Sequence, residues 1–180
     1  RWALGWALLS AGALALAVGD LAGADSLVGE SVFQYRTIGN HLYLPFLLAV
    51  GAVVSHRRQR DGEAYARLQE SWASGAGSGN LTIASMACLA MALLLAELGH
   101  CEQAVATVVT VARFSAWMTM SQWCRDVVWQ PIVARCPCQA PSELPARVAS
   151  LEARAAVKAA GDAALATLGE ALGYAPSPQH

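Results

Sequence analysis

The sequence predicts an all-α, polytopic membrane protein, with about four transmembrane helices and an amphipathic C-terminal helix. Scarcity of charge, four apolar segments and alternating basic and acidic connections carry that expectation. Hydrophobic residues make up 56% of the 180, charged residues only 14%, and mean hydropathy is +0.39. A water-soluble domain usually carries about 25% charged residues, and a lipid-facing surface removes the need for them. The net charge of −1 argues against nucleic acid as a partner, since binding it takes a basic patch that displaces counterions.

A bilayer core of about 30 Å needs about 20 mostly apolar residues to cross it. The first expected span covers residues 2–18, which hold no charge. The second covers 35–55, ends at His56-Arg57-Arg58 and includes Pro45, which should kink it. The third covers 81–99 and follows a Gly/Ser-rich stretch from Ser74 to Asn80, flexible by composition. The fourth covers 104–121 and carries Arg113 near its middle. Residues 1–124 would then form a transmembrane domain. Residues 125–180 would form an extramembrane tail, with a stiff connector at Cys136-Pro137-Cys138. A surface helix is expected over about 143–172, with Ser142 as N-cap and Gly161-Asp162 as an interruption. No convincing repeat links residues 1–56 to residues 81–130. The sequence starts at Arg1, which either removal of an upstream transit peptide or a partial chain would explain.

Loop charges agree with the four spans. Asp20, Asp25 and Glu30 follow the first span, whereas Arg57, Arg58, Arg60 and Arg67 follow the second. Glu97 and Glu102 lie between the third and fourth, and Arg125, Arg135, Arg147 and Arg154 come after. Cytoplasmic-type loops concentrate Lys and Arg, so both termini are placed on the basic side: matrix, stroma or cytoplasm. Trp2, Trp6 and Trp123 are expected at the membrane interface, where an indole keeps one polar end wet.

Five residues stand out as sites. Arg36, Arg113 and Glu97 would be intramembrane or membrane-edge charges, which are costly and tend to mark proton paths or buried pairs. His41 and His100, at the ends of two spans on the acidic side, would suit axial ligation of a b-type haem, or contact with quinone or chlorophyll. Glu97 beside His100 and Glu102 could relay protons, or form an ordinary polar turn. Cys124, Cys136 and Cys138 lack a fourth partner for a zinc site. They read as free thiols, with a disulfide as the alternative in an oxidising compartment. Cys88 reads as a small packing residue.

Arg36-Thr37-Ile38-Gly39-Asn40 resembles the Arg-x-x-Gly-Asn element of the proton-channel subunit a of rotary ATP synthases. Gln103-Ala104 and its Val/Thr-rich continuation are similar to that family's later Gln-bearing helix. The resemblance implies a long tilted helix over Val32 to Ser55, with Arg36 separating two proton half-channels that Asn40 and Gln103 line.

No Gly-rich phosphate loop, HExxH, GxSxG or paired CxxC is present. The leading expectation is an accessory or structural subunit of a large energy-transducing membrane complex, respiratory, ATP-synthase or photosynthetic, without catalysis of its own. Its partners would be other membrane subunits and lipids, in a mitochondrial inner membrane or a thylakoid. A redox- or proton-handling subunit using His41 and His100, or Arg36 and Arg113, is the first alternative. A small transporter or channel is the second.

Overall fold

A computed structural model describes residues 2–40, 42–77, 80–114, 125–137 and 152–174. They form helices α1 (Trp2–Ala17), α2 (Leu21–Thr37), α3 (Leu44–Arg57), α4 (Asp61–Gly77), α5 (Leu81–Glu97) and α6 (Cys101–Phe114). A π-helical turn, Arg125–Trp129, runs into α7 (Gln130–Arg135), and α8 spans Ala153–Ala171.

The first six helices are three hairpins built to one plan, forty residues apart. Within each hairpin the first helix packs along the second: α1 on α2, α3 on α4, α5 on α6. The hairpins then stack, with α2 on α3, α4 on α5 and α3 on α5. The turn of each hairpin has the same backbone. Gly19, Gln59 and Gly99 take positive φ angles of 83°, 60° and 87°. The next amide N–H in each case reaches back over the helix end: Asp20 to the Ala15 carbonyl at 2.9 Å, Arg60 to Ser55 at 2.9 Å, His100 to Leu95 at 2.8 Å. This left-handed helix stop satisfies carbonyls that the helix leaves unpaired. Glycine adopts it freely, whereas Gln59 does so at a cost of about 1 kcal/mol.

The core repeats with the same period. Ala24, Ala64 and Ala104 are fully buried where the second helix of each hairpin meets the first, as are Val28, Leu68 and Val108 one turn later. Ser31 and Ser71 are fully buried too, and each donates its hydroxyl proton to a carbonyl of its own first helix: Gly5 and Pro45, both at 2.6 Å. Gly5 and Pro45 are again forty residues apart. A stack of helical hairpins in which each unit touches only its neighbours is a solenoid.

α8 lies against α5 and α6 and touches α4. It buries Val157, Ala164 and Leu168 and turns Arg154 and Lys158 to solvent. α7 packs on α5 and α6, and a disulfide from Cys101 to Cys136 ties its end to the start of α6.

The transmembrane reading is overturned. No helix among the described residues is long and apolar enough to cross a membrane. α5, the most evenly apolar of the inner helices, has 17 residues and is about 26 Å long, against about 30 Å of hydrocarbon. Burial in protein explains the apolar surplus: α5 is buried at every residue from Ala84 to Ala96, and α3 at nearly every one from Leu44 to Ser55. A helix that is apolar all round needs a protein core or a lipid, and here it has the core. Within the expected second span α2 ends at Thr37 and α3 begins at Leu44, and Pro45 lies in the first turn of α3 rather than kinking a longer helix. Residues 21–34 and 61–77, read as connections between spans, are helical, and residues 74–77 are the last turn of α4. Gly161 and Asp162 lie inside an unbroken α8. The cysteine reading is corrected for Cys136, which is disulfide-bonded, while Cys124 and Cys138 lie outside the described residues.

The loop charges contradict opposite membrane sides directly. Asp25 pairs with Arg58 and Arg60, and Glu97 pairs with Arg57. Groups assigned to opposite faces of a bilayer are in contact. The multi-pass reading, the inner-membrane location and the assignment of termini to one membrane side therefore fall together.

Candidate functional site

The first helices of the three hairpins share one layer, and an apolar groove of about 260 Å³ runs along it. Equivalent positions build its wall: Ala13, Val53 and Leu93 face it, as do Ala49 with Leu89 and Phe46 with Met86. Val127, Val128 and Pro131, from the π-helical turn and α7, form the opposite lip. The chain thus already lays one short helical segment of its own along this layer, with Val128, Trp129 and Ile132 buried.

The polar end of the groove is at Arg57. Its guanidinium donates to Glu97 Oε1 through Nη2 at 2.9 Å and Nε at 3.3 Å. Arg135 stands 3.8 Å from the same oxygen. His56 Nε2 is 3.7 Å from Glu97 Oε2, and His56 Nδ1 is 2.7 Å from Asp61 Oδ1. Only 10% of the Glu97 side chain is exposed, so its charge is held by these neighbours more than by water. The cluster joins α3, the first residue of α4, α5 and α7. It ties two hairpins together and holds the Arg57 guanidinium at the groove, where Asp126 brings a carboxylate as well.

The five residues singled out by sequence do not converge. Glu97 is at the centre of the cluster just described. Arg36 is on the surface at the end of α2 and forms an ion pair with Glu70 at 2.8 Å. It stands at a helix end, not within a long helix over Val32 to Ser55. Asn40 accepts the Leu42 amide N–H at 3.1 Å, and Gln103 lies in the first turn of α6. Arg113 is exposed in the last turn of α6. His100 is exposed in the α5–α6 turn, and His41 lies outside the described residues. Among the described residues no group of three or more His, Cys, Asp or Glu side chains is placed to hold a metal ion. In the sequence His56 and Arg57 read as a basic membrane border, and Asp61 carries no signal of its own. The signal that could have found them is the recurrence of the turn at positions 19, 59 and 99.

No known family model matches this chain. No curated protein and no solved structure matches it either.

Proposed function

We propose that the chain acts as a helical-repeat binding scaffold, an accessory or structural subunit that receives apolar helical segments of partner proteins along its first-helix layer. The observation that carries this reading is the groove, lined by equivalent residues of successive hairpins and bordered by the chain's own segment 125–135. Stacked hairpins make extended surfaces suited to such ligands, and an amphipathic helix laid in an apolar groove is a recurrent mode of recognition. Fold alone does not fix function, so the claim rests on this groove and its Arg57 end.

A photo-crosslinking residue at Ala17, exposed at the groove, tests it in the native cell. The expected result is a crosslink to a partner protein at an apolar helical segment, and purified partner should then bind the purified chain. Ala13→Arg should abolish that binding with helix content unchanged. Binding that survives Ala13→Arg, or the lack of any crosslinked partner, overturns the proposal.

A further inference from the structure

The two outer faces of the described stack differ. At the C-terminal end α8 covers α5 and α6 and presents Arg154, Lys158 and Glu170 outward. At the N-terminal end α1 carries no charged residue from Trp2 to Ala17, and its outer side exposes Leu4, Ala7, Ala11 and Leu14 at helical spacing. Leu4 is 51% exposed and Leu14 is 67% exposed.

The repeat says what this stripe is. Forty residues on, the same positions are Leu44, Leu47, Gly51 and Val54, and eighty residues on they are Ala84, Ala87, Met91 and Leu94. All eight are buried. In α3 and α5 the hairpin that precedes each in the stack contributes to this cover, through the contacts of α2 with α3 and of α4 with α5. Val28 of α2 lies beside Gly51 of α3, which Arg67 of α4 also covers, and Gly75 of α4 lies against the backbone of Ala84 in α5.

We propose that the Leu4–Leu14 stripe of α1 is a stacking face for one further helical hairpin of the same forty-residue kind, docked in the preceding position. Its second helix would present small and branched apolar residues, as α2 does to α3. A second copy of this chain offers no helix of the α2 kind for this position, because its α2 and α4 surfaces are already spent on its own α3 and α5 and its far side is covered by α8. A membrane surface is a poor match as well, since interfacial helices flank their apolar face with Lys and Arg and α1 has none. The inference is independent of what the groove holds.

The test extends the chain. A second copy of residues 1–40 is placed ahead of Arg1, so that Asn40 of the added copy joins Arg1 as Asn40 joins His41 in the natural sequence. Near-independent repeats gain stability from each new stacking interface. The added hairpin should be helical by circular dichroism, amide exchange in the original α1 should slow about tenfold or more, and the thermal midpoint should rise in one transition. Leu14→Glu in the original α1 should undo all three. An added hairpin that stays unprotected beside unmodified Leu14 overturns the proposal. Light scattering on the unextended chain gives an independent arm. A monomer is expected, and a dimer that Leu14→Glu dissolves would assign the face to a second copy and overturn the hairpin.

Discussion

Leu14 and Val54 hold the same position in successive hairpins, yet Leu14 is 67% exposed and Val54 is fully buried. The difference is the hairpin in front: α3 has α1 and α2 ahead of it, whereas nothing among the described residues covers this face of α1. Truncating a buried aliphatic side chain costs transfer free energy plus a cavity, and an exposed one has little to lose. Val54→Ala should destabilise by about 1–3 kcal/mol, while Leu14→Ala should stay within about 0.5 kcal/mol. Urea denaturation of the two variants checks the contrast, and equal costs would mean that the two positions are not equivalent.

The Glu97 cluster should behave as a joint between hairpins. Hydrogen bonds to a charged group contribute about 1.5–3 kcal/mol, and a guanidinium left half-buried without its carboxylate loses more than one contact. Glu97→Gln should therefore destabilise by about 1–3 kcal/mol. Combined with Arg57→Met, its cost should shrink in a double-mutant cycle. Additive costs would show that the 2.9 Å contact contributes nothing of its own.

Gly161 shows why α8 tolerates a residue that weakens helices. A Cβ at this position would run into the ring of Trp72, whose Nε1 donates to Asp162 Oδ1 at 2.9 Å. Gly161→Ala should cost about 1–3 kcal/mol through overpacking, against the small gain alanine brings to an open helix site. Trp72→Leu should relieve most of that cost. A Gly161→Ala variant that is more stable than the parent would show that α8 does not seat on α4 as described.

Alkaline pH should loosen the stack. Burial, reinforced by Asp162, pushes the Cys88 thiol from an ordinary 9.0 up to about 12. The unfolded chain then gives up that proton first as pH rises, so the unfolded state binds fewer protons and stability falls between these two values. The slope from this group is about 1.4 kcal/mol per pH unit. Burial also raises Tyr35 and Tyr65 above 10.0, which adds to the loss at higher pH. Stability measured on either side of pH 9.0 should drop for the native chain, and Cys88→Ala should remove the part that begins there. An unchanged profile in Cys88→Ala would place the thiol near solvent.

Helicity was legible in the sequence and the environment of the helices was not. The apolar runs at Trp2–Ala17 and Leu81–Glu97 are helices, and Asn80 caps α5 by accepting the Thr82 and Ile83 amide protons. But an all-round apolar helix reads alike whether lipid or protein surrounds it, and α3 and α5 are both of that kind. The polar helices α2 and α4 were hidden by the same error, since Asp25 and Arg60 look like loop charges when their 35-residue separation conceals that they are partners. The repeat is faint in the sequence because its marks are few: three alanines at 24, 64 and 104, and a turn whose middle copy has Gln59 where the others have glycine. Of the site, Glu97 was found for its charge near an apolar run. The groove was not, because it exists only once three hairpins are stacked.

The most direct test of the stack is the distance between its turns, measured by double electron–electron resonance with spin labels at Asp20 and Gln59. In a forty-residue hairpin stack both turns lie on one edge, next to each other, and helices in contact stand about 8–10 Å apart. The separation should fall within about 20 Å, allowing for two label arms of ordinary length. A four-span topology puts the two residues on opposite faces of a bilayer, and a separation above about 30 Å would contradict the account.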